Sequence, residues 1–191
     1  MATTTADALP PLVRWRYAWI VVAGVAILLV ALNADSLWLL NWVHVFFGLA
    51  WTGIDLFMGF VLGPILRRLR PDLRRMVTTE LSARFLFMFP MLGIVTPTSG
   101  WELADRLGYL DLPYPQYWWI VAALATVILL AVLGTGILLP LNLRMLSELR
   151  KREPDMALVT RLVRIYFGLT ATIALLQLGM IVIMTRFRLG L

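Results

Sequence analysis

The chain of 191 residues contains no cysteine, one histidine and one lysine. Without cysteine there are no disulfides, no thiolate chemistry, no iron–sulfur clusters and no Cys-based zinc sites. With one histidine, a protein-only catalytic zinc site lacks its usual three ligands. Charged residues are also scarce, at 15%. No soluble stretch is long enough to present the basic face that nucleic-acid binding needs. No internal repeat or low-complexity segment is visible.

Apolar sequence is abundant. Hydrophobic residues make up 61% of the chain and mean hydropathy is +0.84, where a soluble domain is about 45–50% apolar. The excess is gathered in long runs, so the chain reads as an all-α, polytopic membrane protein. Five spans are expected in a single domain, at about residues 17–32, 37–66, 81–100, 117–139 and 165–185. Residues 1–13 read as a flexible or surface-lying arm. Arg14 and Arg16 before the first apolar run imitate a secretory signal, but Leu32 stands where a small residue is needed before a cleavage site after Ala34. The segment is therefore expected to remain as the first helix. Ser36 is placed to cap the second.

Lys and Arg are unevenly shared. The arm and the connections after spans two and four hold 14 of them, and the opposite side holds 3, namely Arg106, Arg186 and Arg188. The positive-inside rule puts the N-terminus in the cytoplasm. In a bacterium the location is the inner membrane. The net charge of +6 thus reads as topology and contact with anionic lipid in the bilayer. Between spans three and four, Tyr109, Tyr114, Tyr117, Trp118 and Trp119 predict an aromatic belt at a membrane surface.

The second span, LWLLNWVHVFFGLAWTGIDLFMGFVLGPIL, is the organising one. It carries the sole histidine, His44, and Asp55. At 3.6 residues per turn, His44, Gly48, Trp51 and Asp55 lie within about 40° of one line, with His44 and Asp55 roughly 16 Å apart along the axis. Met58 falls near the same line. Polar groups inside a bilayer face protein, water or ligand, which makes this stripe the candidate site. Gly59 and Gly63 form a GxxxG pair that permits close helix contact. In span three, Pro90 predicts a kink, and Thr96–Gly100 reads as an unwinding helix end. Residues 67–80 and 101–116 read as loops. Residues 142–164 read as a charged connection, with the flanking helices continuing out of the bilayer.

One histidine suffices for haem, alone or with methionine. Met180 and Met184 lie at about the depth of His44, and Met88 and Met91 are alternatives in span three. Trp51 is placed to pack on a flat ligand or on a helix. Copper is the alternative cofactor, since Cu(I) accepts imidazole and thioether. Asp55 reads as the partner of Arg84 or Arg144, or as part of a proton or ion path.

The run WVHVFFGLAWTG, with His44, Gly48, Trp51 and Gly53, resembles a group of small bacterial membrane proteins. That group includes the CopD-like copper-resistance proteins, the HemJ-type protoporphyrinogen oxidases and related proteins without an assigned role. Residues 139–145 and 168–187 look most like the unassigned members. The resemblance implies a helical bundle with His44 as a haem-iron ligand. The HemJ-type enzymes also use a membrane lysine, whereas Lys151 lies in a charged connection, which argues against porphyrinogen oxidation. Three readings follow. The first is a b-type haem protein in redox or haem-linked chemistry. The second is an accessory or scaffold subunit, in a homo-oligomer or larger complex, packed through the GxxxG helix. The third is copper or proton transport along the His44–Asp55 line.

Overall fold

The computed structural model describes residues 13–151 and 153–189. The expected N-terminal arm falls, apart from Val13, outside the described residues. Five helices are long and apolar enough to cross a membrane. They are α1 (Trp15–Asn33), α2 (Leu37–Arg68), α3 (Pro71–Arg106), α4 (Tyr117–Leu149) and α5 (Met156–Arg188). Among the described residues there is no strand. The protein is a multi-pass membrane bundle. In hydrocarbon every backbone N–H and C=O must be satisfied inside the chain, and helices do this within each segment.

The helices are longer than the apolar runs. A helix of about 20 residues crosses a bilayer, whereas α3 has 36 residues. Residues 71–80 and 101–106, expected as loops, are helical turns of α3. The connection from α2 is only Leu69 and Arg70. Pro71 starts α3 at its first position, where a missing N–H costs nothing. Pro90 and Pro97 lie inside α3, which stays helical through both and through Thr96–Gly100, contrary to the expected unwinding. Both prolines lie on the wall of a cavity. The turns past the apolar runs of α4 and α5 extend as expected. The Ser36 hydroxyl accepts from the Leu39 N–H at 3.3 Å and caps α2.

Two stretches relax to the wider i→i+5 turn, Phe57–Leu62 in α2 and Val132–Leu138 in α4. Each ends two residues before a proline, Pro64 or Pro140. A proline inside a helix lacks its N–H and presses on the carbonyl four residues back, and a wider turn accommodates both.

The interior falls into two groups. Leu28 and Ala31 of α1, Leu40, Val43 and Phe47 of α2, and Met91, Leu92 and Val95 of α3 form one core. Met91 also seats on Gly24 of α1, so it and Met88 serve packing toward α1. The second group joins α4 and α5, through Met145, Leu149, Val159 and Val163 near one end and Leu130, Leu138, Tyr166 and Ile173 above. Here the end bearing the arginines of the α2–α3 and α4–α5 connections is called the basic end. In the basic half the groups meet. A Cβ on Gly59 would stand 2.9 Å from the Cα of Ala171, and one on Gly63 would stand 3.0 Å from Phe167. The GxxxG pair is thus used within the chain, against α5, and is not left for a partner subunit. Asn142 of α4 donates to the Ser82 carbonyl of α3 at 3.2 Å. At the basic end Arg14 also pairs with Glu80.

At the far end Arg106 donates to the Leu32 carbonyl at 2.7 Å and stitches α3 to the end of α1. Tyr114, Tyr117 and Trp118 pack together there, in the predicted aromatic position.

Replacing Gly59 with leucine forces atoms into the α5 backbone. It should destabilise the detergent-purified protein by about 1–3 kcal/mol, the usual cost of overpacking. Gly53→Ala, with nothing within 4 Å of the new methyl, should be neutral or mildly stabilising in the same thermal-melting series.

Candidate functional site

Between the two helix groups lies a cavity of about 890 Å³, inside the range of about 300–1,000 Å³ usual for small-molecule and cofactor sites. The stripe read from the sequence faces it, since His44, Gly48, Trp51 and Asp55 all line the wall. Met180 and Met184 of α5 line the same cavity. Met58 does not; it is buried against a separate small void.

His44 stands about two turns from the far end of α2. Its Nδ1 lies 2.9 Å from the Thr96 carbonyl oxygen. A carbonyl only accepts, so Nδ1 carries the hydrogen and Nε2 keeps its lone pair. The Ser99 hydroxyl is 3.5 Å from the same nitrogen but donates to the Val95 carbonyl at 2.6 Å. The ring lies against Gly100, where a Cβ would come within 2.5 Å of the His44 Cε1. Thr96 and Gly100 therefore hold the imidazole in one orientation, and only a glycine leaves room for it.

Asp55 lies deeper. It is 1% exposed, and its Oδ2 accepts from the Gln177 amide at 3.1 Å. The expected ion pair with Arg84 or Arg144 is not formed. Arg84 instead points to Tyr17 of α1, 3.4 Å from its hydroxyl, at the basic side of the bundle. A long cationic side chain reaches for the membrane surface, and Asp55 sits too far inside to hold it.

Comparison of the chain with protein-family models, with curated proteins and with solved structures returns no match. The chemistry must therefore be read from the cavity wall. Among its lining residues the titratable or charged ones are His44, Asp55, Tyr109, Tyr166 and Arg188. The uncharged polar residues include Thr96, Asn142 and Gln177. Four of the buried oxygens have no hydrogen-bond partner: Asp55 Oδ1, Gln177 Oε1, Asn142 Oδ1 and Thr96 Oγ1. Among the described residues no three His, Asp or Glu side chains gather as a metal cluster.

Sequence reasoning missed Gln177, Asn142, Thr96, Gly100 and Tyr166. A signal existed for two of them. Gln177 is the one amide in the apolar run of α5, eleven residues and three turns from Tyr166. That spacing matches His44 and Asp55 on α2.

Gln177→Leu removes the amide hydrogen bond to Asp55 Oδ2 and should cost about 1–3 kcal/mol, because it strands a buried carboxyl oxygen. The double variant Asp55→Leu/Gln177→Leu should recover most of that loss in thermal melting, since no polar group is then orphaned.

Proposed function

We propose that the cavity holds a b-type haem, with His44 Nε2 as the iron ligand, and that the protein works in membrane redox or haem-linked chemistry. The observation that carries this reading is the His44 arrangement. A ring whose Nδ1–H is tied to a backbone carbonyl, and whose Nε2 lone pair is free, is the usual state of a metal-ligating histidine. The Thr96 carbonyl fixes the tautomer and orientation.

The donor set fits the group. Haem needs only one or two axial ligands, and Met180 and Met184 share the cavity with His44 as candidates for the second. The long apolar wall suits the macrocycle, and Trp51 offers it a flat face. Arg188 at the far rim is placed to meet its carboxylates. The absence of cysteine rules out covalent attachment, hence the b-type assignment. Once bound, the haem supplies one-electron redox chemistry. The chain's own residues orient the ligand imidazole. The resemblance of the His44–Gly53 run to the CopD-like and HemJ-like group points the same way, and rests on those residues alone.

By the distribution of arginines, the N-terminus would lie in the cytoplasm, and by the resemblance to small bacterial membrane proteins the membrane would be the bacterial inner membrane. Copper would have to use His44, Met180 and Met184, and no other ligands gather beside them. An accessory role in a homo-oligomer or larger complex would use surfaces other than the Gly59–Gly63 face, which α5 covers.

The test is the visible absorption spectrum of the detergent-purified protein, oxidised and reduced. A Soret band with sharp reduced α and β bands is expected. His44→Ala should lose the bound haem, and Gly100→Ala, which displaces the ring, should lose most of it. A His44→Ala protein with its full haem complement would overturn the assignment. A featureless wild-type spectrum without iron or copper would favour the accessory-subunit reading.

A further inference from the structure

The inner end of the cavity has a composition that an iron-ligand site does not need. Three side chains from three helices meet the cavity there: Asp55 of α2, Asn142 of α4 and Gln177 of α5. They are 1%, 4% and 4% exposed, and each has an oxygen without a partner. All three of these oxygens are acceptors. A carboxylate accepts and never donates, whereas a carboxylic acid supplies one O–H donor. The amide N–H groups of Gln177 and Asn142 already donate, to Asp55 and to the Ser82 carbonyl, and one proton on Asp55 adds an O–H donor beside the bare oxygens.

Below this floor, toward the basic end, lies a second void of about 10 Å³ whose exposed surface is wholly apolar, so it gives a water none of the polar partners it needs. Tyr166 lines both voids and is the one polar side chain they share. The lower void is also lined by Ser82 and by Thr78, whose buried hydroxyl has no partner. The Ser82 carbonyl already accepts from Asn142. One turn further along α3, Arg74 bonds Thr160 of α5 at 3.2 Å, at the basic end. Polar groups thus run from Asp55 to that end through bilayer depth, where each is costly unless it has a role.

We propose that Asp55 is a proton-exchanging carboxyl that takes up and releases its proton through the cavity it lines, beside the Tyr166 hydroxyl group on the same wall. The transfer moves a bare proton and no electron. Asp55 releases its proton to water or a base in the cavity and takes one back from the same side. On the elements packed around Asp55, α3 and α4 bring no charged side chain to the cavity wall. The groups that do line it are Tyr166 and Arg188 of α5, His44 one cavity-length away on the same helix, and Tyr109 in the α3–α4 connection. The inference does not depend on haem, because none of its groups touches His44.

The experiment is pH-jump infrared difference spectroscopy on the full chain in detergent, in light and heavy water. The wild type should give a protonated-carboxyl C=O band that shifts in heavy water. The band should vanish in Asp55→Asn, move in frequency in Asp55→Glu and persist in His44→Ala. Tyr166→Phe, which removes a hydroxyl group from the cavity wall, should slow its hydrogen–deuterium exchange by about tenfold, the scale of one lost hydrogen bond, and Thr78→Val, below the cavity, should leave it unchanged. A wild type without the band, or an unchanged band in both Asp55 variants, overturns the assignment of the carboxyl. Exchange slowed by Thr78→Val and unchanged in Tyr166→Phe overturns exchange through the cavity. The His44→Ala spectrum separates these failures from failure of the haem reading, which is decided by the visible absorption alone.

Discussion

The bundle depends on how α2 is pinned at two depths to two different neighbours. In its basic half, Gly59 and Gly63 bring its backbone against Ala171 and Phe167 of α5. In its far half, Leu40, Val43 and Phe47 pack into the core shared with α1 and α3. Between helices in lipid there is little hydrophobic drive, so close contact of small residues decides where two helices touch. Because α2 belongs to both groups, they meet near the basic end and stand apart above it. The cavity occupies that separation. Its existence and its polar stripe have the same origin, since the face of α2 turned away from α1 carries His44, Gly48, Trp51 and Asp55.

The two polar residues of that face are held in opposite ways. His44 has its hydrogen-bearing nitrogen satisfied by a carbonyl and its other nitrogen open, which is the preparation a metal ligand requires. Asp55 has one oxygen satisfied by an amide and the other open, beside the bare oxygens of Asn142 and Gln177. The first arrangement favours an electrophile at the imidazole, and the second favours a donor or a proton at the floor. Placing them about 16 Å apart on one helix keeps the two chemistries at separate depths of one cavity.

Proline shapes the wall without breaking it. Pro90 and Pro97 sit in α3 on the cavity side, and Pro64 and Pro140 follow the wide turns of α2 and α4. In water, carbonyls freed by a proline can turn to solvent and let a helix end. In hydrocarbon they have no such outlet, so a local change of helical turn costs less than an end. In α3 no such change occurs; ending the helix there would strand still more carbonyls, so the Thr96–Gly100 segment, which reads as a stop, stays regular helix, and its Thr96 carbonyl and bare Gly100 surface receive the His44 ring.

The number of spans, their apolar cores and the common face of His44, Gly48, Trp51 and Asp55 were all legible in the sequence. Each rests on composition or on a helical period that acts within one segment. The close-contact role of Gly59 and Gly63 was legible too, though not the partner they meet. Helix ends were misplaced because charged residues were taken as loops, whereas a helix pays nothing to carry arginines past the bilayer surface. Tertiary structure alone decided that Asp55 meets Gln177 and not Arg84, that Met88 and Met91 face α1 while Met180 and Met184 face the cavity, and that Thr96 and Gly100 seat the histidine. These are distances between helices far apart in the chain. They follow from which small residues allow contact and how far a side chain reaches, and no spacing within one helix contains them.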